Sequence, residues 1–222
     1  MKRETRQLIF RGLFAGLMIG IGCTVYLACE NKLVGALLFS SGLFFILSNG
    51  GALFTGLCGL KTPWKTLAAV LGLNAGGALI AGMLTWSSYL FKSDEGLLVL
   101  IAQGKAPLAI SAGELVARKL SANPLSWLTN GILCGMLMYL AVMGYKKAKD
   151  TPHALASVLY AIPVFIVAGF EHSIADLGYL AIALPALRLM DIVRMLGMIL
   201  VVVAGNVIGS KAMRVCLVDG QE

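Results

Sequence analysis

Ser48-Asn-Gly-Gly-Ala-Leu-Phe-Thr55-Gly56 and Gly169-Phe-Glu-His172-Ser-Ile-Ala175 each interrupt a long apolar segment of this chain. The interrupted segments cover about residues 33–60 and 154–187, and both exceed the roughly 20 residues that one straight bilayer crossing needs. Glycine lets the backbone leave the helical conformation, so each segment is predicted to contain a broken helix. Backbone groups released inside a bilayer must be satisfied by protein or by a water-filled cavity. The two breaks therefore mark the candidate functional site.

Four further apolar segments complete a predicted set of six spans. They cover about residues 8–29, 64–91, 125–145 and 190–213. Of the 222 residues, 59% are hydrophobic and 13% are charged, whereas a soluble domain has roughly 25% charged residues. This composition excludes a soluble enzyme, a disordered chain and a nucleic-acid-binding module. A more polar stretch, residues 92–124, separates the third and fourth spans, and a short helix is predicted near residues 108–120.

The distribution of Lys and Arg predicts how the spans are oriented. Six crossings place eleven of the 18 cationic residues on one side of the membrane, and cytoplasmic loops are the ones enriched in Lys and Arg. Both termini, including the basic start at Lys2, Arg3 and Arg6, are therefore expected in the cytoplasm. We expect a multi-pass protein of the cytoplasmic (inner) membrane with a single domain over residues 1–222. The first apolar segment is interpreted as a retained span rather than a signal peptide.

The two halves of the sequence resemble each other. Gly12-Leu-Phe-Ala-Gly16 in span one parallels Gly131-Ile-Leu-Cys-Gly135 in span four, and Asn74 in span three parallels Asn206 in span six. Because each half has an odd number of spans, the two halves would run in opposite directions through the membrane. The predicted fold is therefore an all-α membrane protein of two inverted three-helix repeats. The repeats cover about residues 8–91 and 125–213. Such proteins place their functional site near the bilayer midplane, where broken helices meet. Glycine kinks that serve only helix packing are the alternative.

His172 is the strongest functional candidate, because an ionisable group at membrane depth is rare and usually functional. Imidazole titrates near neutral pH, so this ring could bind an anion or relay a proton, or serve only as a hydrogen-bonded structural residue. Thr55 lies in the other break, and its hydroxyl could bond to His172, to a ligand or to a backbone carbonyl. Half-helix N-termini at such breaks favour anions, which indicates an anion pathway.

Other polar residues near the breaks are expected to support the pathway. Glu171 is expected to cap a half-helix, because a carboxylate facing the pore would repel anions. Asn74 and Asn206 are expected to bond to the broken backbone or to line the cavity. Lys119 on the outer side would raise the local anion concentration, or be an ordinary solvated charge. No His, Cys, Asp or Glu cluster has metal-binding spacing, so the sequence predicts neither a bound metal nor a cofactor. No nucleophile pairs with a base, so no enzymatic activity is predicted.

Five motifs spread over about residues 8–212 fit one known family together. They are Arg11-Gly-Leu-Phe-Ala-Gly16, Leu53-Phe-Thr-Gly56, Asn130-Gly-Ile-Leu-Cys134, Phe170-Glu-His-Ser173 and Gly205-Asn-Val-Ile-Gly209. This set resembles the formate/nitrite transporter family. The resemblance implies an aquaporin-like fold and a homopentamer with one pore in each subunit. It also implies passage of small monovalent anions such as formate, nitrite, hydrosulfide, acetate or lactate, often coupled to protons.

The resemblance also implies roles for individual residues. His172 and Thr55 would form the transport relay, and Lys119 would be the cation of the outer vestibule. The implied apolar residues of the pore are Phe39 and Leu43 at the outer constriction, and Leu53, Phe54 and Phe165 around the pore. Asn206 matches the span-six asparagine of the family. Gly135 replaces an asparagine that lines the family's pore, so a polar amide is expected to be missing or replaced by water.

The sequence thus predicts a proton-linked channel or transporter for small monovalent anions of the formate or nitrite class. An anion would be attracted to the vestibule, would meet an apolar ring in which a bare charge is costly, and would pass with a proton. The alternatives are a hydrosulfide or short-chain carboxylate channel of the same fold, a channel for neutral small solutes, and a membrane scaffold without transport. The expected partners are anions, protons, lipid and further copies of the chain, and not nucleic acid.

Overall fold

The computed structural model describes residues 3–217, and within this range the chain forms ten α-helices and no β-strand. The helices are α1 (Arg3–Ala28), α2 (Lys32–Ser48), α3 (Phe54–Leu57), α4 (Trp64–Leu90), α5 (Leu97–Ala102), α6 (Pro107–Leu120), α7 (Pro124–Lys147), α8 (Thr151–Val167), α9 (Ser173–Ala183) and α10 (Leu189–Leu217). A 3-10 turn, Leu184–Ala186, follows α9. Lys2 and both ends of the single domain predicted over residues 1–222 lie outside the described residues.

Four helices, α1, α4, α7 and α10, are long and apolar enough to cross a membrane. They coincide with the four uninterrupted spans predicted from the sequence. Each interrupted segment forms two helices instead of one, α2 with α3 and α8 with α9. The short helix predicted near residues 108–120 is α6, whereas α5 was not predicted. The all-helical class is thus confirmed, with both interruptions where the glycines lie.

Both interrupted segments end their first helix by the same local chemistry. Gly50 after α2 and Gly169 after α8 have positive φ angles of 66° and 74°, a conformation that glycine adopts at little cost. In both cases the next amide donates to a carbonyl of the last helical turn, Gly51 to Ile46 at 2.7 Å and Phe170 to Phe165 at 2.9 Å. This is the usual glycine-terminated helix end. The breaks are therefore encoded by the residues at the breaks themselves.

Glycines bring two pairs of long helices into close contact. A Cβ added to Gly16 of α1 would overlap the backbone of Asn74 in α4. A Cβ added to Gly135 of α7 would in the same way overlap the backbone of Asn206 in α10. Gly77 and Gly209 make the reciprocal contacts from α4 and α10. Small residues allow membrane helices to approach closely, so these glycines fix the pairs α1–α4 and α7–α10.

The contact at Gly135 corrects one expectation from the sequence. An absent amide was expected to leave a polar position missing from the pore or occupied by water. The backbone of Asn206 instead occupies the place where a side chain at Gly135 would lie. The expectation of a gap filled by water is therefore wrong, because α10 approaches α7 too closely to leave one, whereas the loss of a pore-lining amide stays a prediction.

Replacing Gly135 with asparagine should force α7 and α10 apart. Overpacking typically costs about 1–3 kcal/mol, and here the side chain would meet backbone, which cannot move as a flexible side chain can. We expect a lower melting temperature of the protein in detergent. Gly197→Asn is the matched control, because Gly197 lies on the exposed side of α10 and nothing lies within 4 Å of an added Cβ. Equal melting temperatures for the two variants would contradict the close contact.

The helix α8 begins at a capping aspartate in the preceding loop. Asp150 Oδ1 accepts a hydrogen bond from the backbone amide of His153 at 2.9 Å. This bond lowers the pKa of the Asp150 carboxyl below its ordinary value. Because the ionised carboxylate is the better acceptor, its stabilisation of α8 is present at neutral pH and is lost as the pH falls through the lowered pKa.

Candidate functional site

A buried asparagine of α4 holds the first break. Asn74 Oδ1 accepts from the amide of Phe54, the first residue of α3, at 2.8 Å. Its Nδ2 donates to the carbonyls of Gly12 and Ala52, both at 2.9 Å. The Phe54 amide and the Ala52 carbonyl lie at the break, where no helical partner is available, so Asn74 satisfies them inside the protein.

A second asparagine, in α10, holds the other break in the same way. Asn206 Oδ1 accepts from the amide of Ser173, the first residue of α9, at 3.0 Å. Its Nδ2 donates to the carbonyls of Gly131 and Glu171 at 2.8 and 2.9 Å. The partners of the two asparagines correspond along the chain, since one constant offset relates Gly12 to Gly131, Ala52 to Glu171, and Phe54 to Ser173. Both asparagines thus bond to broken backbone, one of the two roles expected from the sequence.

His172 caps α9 with its ring. Its Nδ1 accepts from the amide of Ala175 at 3.0 Å. An amide is a donor, so Nδ1 carries no proton, and the neutral ring holds its proton on Nε2. Nε2 then donates to the hydroxyl of Thr55 at 2.8 Å. Protonation of Nδ1 would set two donors face to face, so the fold favours the neutral ring.

The cap that the sequence assigned to Glu171 is therefore wrong. His172 directly precedes α9, and its ring reaches the amide of the third helical residue. Glu171 lies one residue further back, and its carboxylate instead forms an ion pair with Lys119 of α6. The side chain of Glu171 belongs to the electrostatics of the site rather than to the helix end.

Apolar rings pack against the imidazole. Phe165 stacks on His172 with ring centroids 5.6 Å apart and an angle of 19° between the planes. Phe39 meets Phe165 edge-on at 6.4 Å. The other predicted constriction residues, Leu43, Leu53 and Phe54, are all buried in the same core. Phe39, Phe165, His172 and Thr55 thus form a row in which each side chain contacts the next. The constriction itself stays a prediction.

A cavity of about 200 Å³ lies beside His172. Its wall combines aromatic side chains (Tyr26, Phe165, Phe170 and Tyr179) with three charged ones (Arg118, Lys119 and Asp176). Arg118 is exposed, so the cavity reaches the surface there, and His172 lies in its buried part. Phe39, Leu43, Leu53 and Phe54 do not line it. A small polar molecule could reach the imidazole by this route.

Lys119 is the centre of an ion-paired cluster in this cavity. Its Nζ lies 3.0 Å from Asp176 Oδ1 and also contacts Glu171 Oε2. The side chain of Lys119 is only 14% exposed, and those of Glu171 and Asp176 are 8% and 1% exposed. The alternative of an ordinary solvated lysine is therefore wrong, because two buried carboxylates share its charge.

Asp176 is a site residue that was not predicted from the sequence. It lies four residues after His172 within an apolar segment, and residues four apart share one face of a helix. An ionisable residue at membrane depth is a functional candidate by itself, so the signal was available. Within residues 3–217, no group of three or more His, Cys, Asp or Glu side chains is placed to hold a metal ion.

The sequence resembles those of known transport proteins. The sequence profile described as "Formate/nitrite transporter" matches residues 1–218. The formate channel FocB of Escherichia coli (strain K12) is 24% identical over 203 residues, covering 82% of this chain and 68% of FocB. A probable formate transporter of Methanothermobacter thermautotrophicus is 24% identical over 226 residues, covering 94% of this chain and 82% of that protein.

Two solved structures have the same fold. A pentameric formate channel with formate bound superposes with a TM-score of 0.77 at 21% identity, covering 96% of this chain and 95% of that one. An FNT family ion channel superposes with a TM-score of 0.73 at 17% identity, covering 93% and 86%. The likeness extends over nearly all of the chain.

Proposed function

Because the chain belongs to the formate/nitrite transporter family, we propose that it is a proton-linked channel for small monovalent anions of the formate or nitrite class. Members of this family are transporters and channels in membranes, not enzymes. The observation that carries the proposal is the buried Thr55–His172 pair, which adjoins a cavity with a cationic group in its wall.

The proposed architecture has six spans in two inverted three-helix repeats with an aquaporin-like arrangement. The matching hydrogen bonds of Asn74 and Asn206 and the matching contacts of Gly16 and Gly135 support it. One solved relative is a pentameric formate channel, which supports a homopentamer. We place the protein in the cytoplasmic membrane with both termini in the cytoplasm, as the distribution of Lys and Arg indicates.

In the proposed pathway, an anion enters the cavity near Lys119 and approaches His172. The neutral ring donates to Thr55, and the hydroxyl of Thr55 is then free to donate to the passing anion. Phe39, Leu43, Leu53, Phe54 and Phe165 supply the apolar constriction on either side of this relay. A bare charge is costly among such side chains, so the anion crosses together with a proton. Asn74, Asn206 and Glu171 support the pore without moving.

Flux into proteoliposomes tests this function. Formate, nitrite, hydrosulfide, acetate and lactate are each offered as a gradient, and anion uptake and internal pH are recorded over a range of external pH. We expect uptake of formate or nitrite with internal acidification, and faster uptake as the external pH falls. Empty liposomes are the control for passive entry of the acids.

Two outcomes would favour the alternatives. Swelling in neutral solutes without any dependence on pH would indicate a neutral-solute channel. Absence of flux for every anion and solute would indicate a scaffold, and would leave the charged cavity unexplained.

A further inference from the structure

Two acidic groups share one basic group beside the cavity, where Lys119 and Asp176 line the wall and Glu171 does not. Glu171 and Asp176 both contact Lys119, and the three side chains are largely buried. Arg118 lines the same cavity but is exposed, and within residues 3–217 it forms no ion pair. The other titratable groups around the cluster are Cys23 and Tyr26 of α1, Cys134 of α7, and His172 and Tyr179 of α9. None of them adds a positive charge, because the cap keeps the ring of His172 neutral.

An uncompensated carboxylate in such a place is strongly unfavourable, and a buried group in that position takes up a proton instead. Of the two acids, Asp176 is the more buried, and neither of its oxygens makes a hydrogen bond of good geometry. Glu171 accepts a hydrogen bond from Lys119 and is the more exposed of the two. The excess proton therefore belongs on Asp176.

We propose that Asp176 holds a proton in the resting protein and transfers it to the anion in the cavity. This inference rests on the proposed function, and it assigns the accompanying proton to a residue other than His172. Its basis is the placement of Asp176 in the cavity wall, its burial, and the shared counter-charge on Lys119.

The transfer balances without any further reactant. The O–H bond of Asp176 breaks as an O–H bond forms on an oxygen of the anion, and the anion becomes a neutral acid. The Asp176 carboxylate left behind faces the ammonium of Lys119, 3.0 Å away. The neutral acid passes the row of Phe165, His172 and Thr55, and releases its proton on the far side. A hydronium ion of the outer solution returns a proton to Asp176 and becomes water.

Infrared spectroscopy of the full-length protein tests the resting proton independently of transport. At pH 8 ordinary carboxyl groups are ionised, so the wild type in a carbonyl-free detergent should show the C=O stretch of one protonated carboxylic acid. Asp176→Asn should lack this band, and Glu114→Gln, at an exposed site on α6, should retain it. Glu171→Gln should also lose it, because Asp176 is then the only counter-charge of Lys119. A wild type without the band, or an unchanged band in Asp176→Asn, would overturn the inference.

Formate uptake into proteoliposomes tests the transfer. At pH 8, where little formic acid is present in solution, uptake by Asp176→Asn should fall roughly 100-fold, the lower end for loss of a positioned proton donor. At acidic pH the loss should be smaller, because solvent supplies the protonated acid. Glu114→Gln should match the wild type throughout, and size-exclusion chromatography checks that each variant is assembled.

The two possible failures are distinguishable. Wild-type uptake with an unchanged pH profile in Asp176→Asn would overturn the inference alone. A wild type that carries no anion at any pH would overturn the proposed function, and the transfer step with it.

Discussion

His172→Ala should reduce formate uptake into proteoliposomes at least about tenfold at every pH. The substitution removes the acceptor for the amide of Ala175, the donor to Thr55 and the ring that stacks on Phe165. Thr55 then loses the partner that leaves its hydroxyl free to donate to the anion, and a barrier raised by about 1.4 kcal/mol corresponds to a tenfold slower rate. The measurement is initial uptake across the pH range used for the wild type.

Two further variants identify which of these contacts matters. His153→Ala is the matched control, because His153 is the only other histidine and its side chain is 74% exposed. His172→Asn keeps a side chain suited to capping a helix and removes the ring. It should therefore melt closer to the wild type than His172→Ala does, while its uptake stays low. Unchanged uptake by His172→Ala at every pH would remove His172 from the mechanism.

Asn206→Ala should lower the melting temperature in detergent by about 10 °C, the shift expected for roughly 3 kcal/mol in a protein of this size. The estimate comes from two backbone groups at the break, Ser173 N–H and the carbonyl of Glu171, that lose their partner inside the protein. Each unpaired buried group costs about 1–3 kcal/mol. Thermal unfolding followed by circular dichroism measures the shift.

The neighbourhood of Asn206 offers two comparisons. Asn130→Ala should leave the melting temperature nearly unchanged, because its amide donates only to the side chain of Ser126 among the described residues. Asn206→Asp keeps the acceptor for Ser173 and loses both N–H donors, so it should be at least as unstable as the alanine variant. Equal melting temperatures for Asn206→Ala and Asn130→Ala would show that Asn206 does not hold the broken backbone.

The breaks could be predicted from the sequence because their cause is local. Gly50 and Gly169 end their helices through their own conformations and through amides one residue away. The apolar segments were predictable for a similar reason, since length and composition decide whether a helix can span a bilayer. The paired asparagines were also visible, because a polar residue in an apolar segment stands out in the sequence.

The rest of the site depends on geometry that spacing does not contain. Lys119 is brought to Glu171 and Asp176 by the packing of α6 on α9, and no local pattern shows which acid a lysine will meet. Whether Glu171 or His172 caps α9 depends on which side chain turns toward the helix end. The consequence of a glycine at residue 135 depends on how near α10 approaches. Asp176 is different, because it was visible as a charge in an apolar segment and was overlooked.

The hydrogen bond between Thr55 and His172 connects a residue made early in synthesis with one made late. A ribosome that has released only the first half of the chain has delivered Thr55 to the membrane without its partner and without the cavity that adjoins it. On the proposed function, a growing chain therefore leaves the bilayer sealed until α9 is inserted. Prematurely terminated products that stop before α9 should be inert, and should not dissipate the ion gradients of the cell.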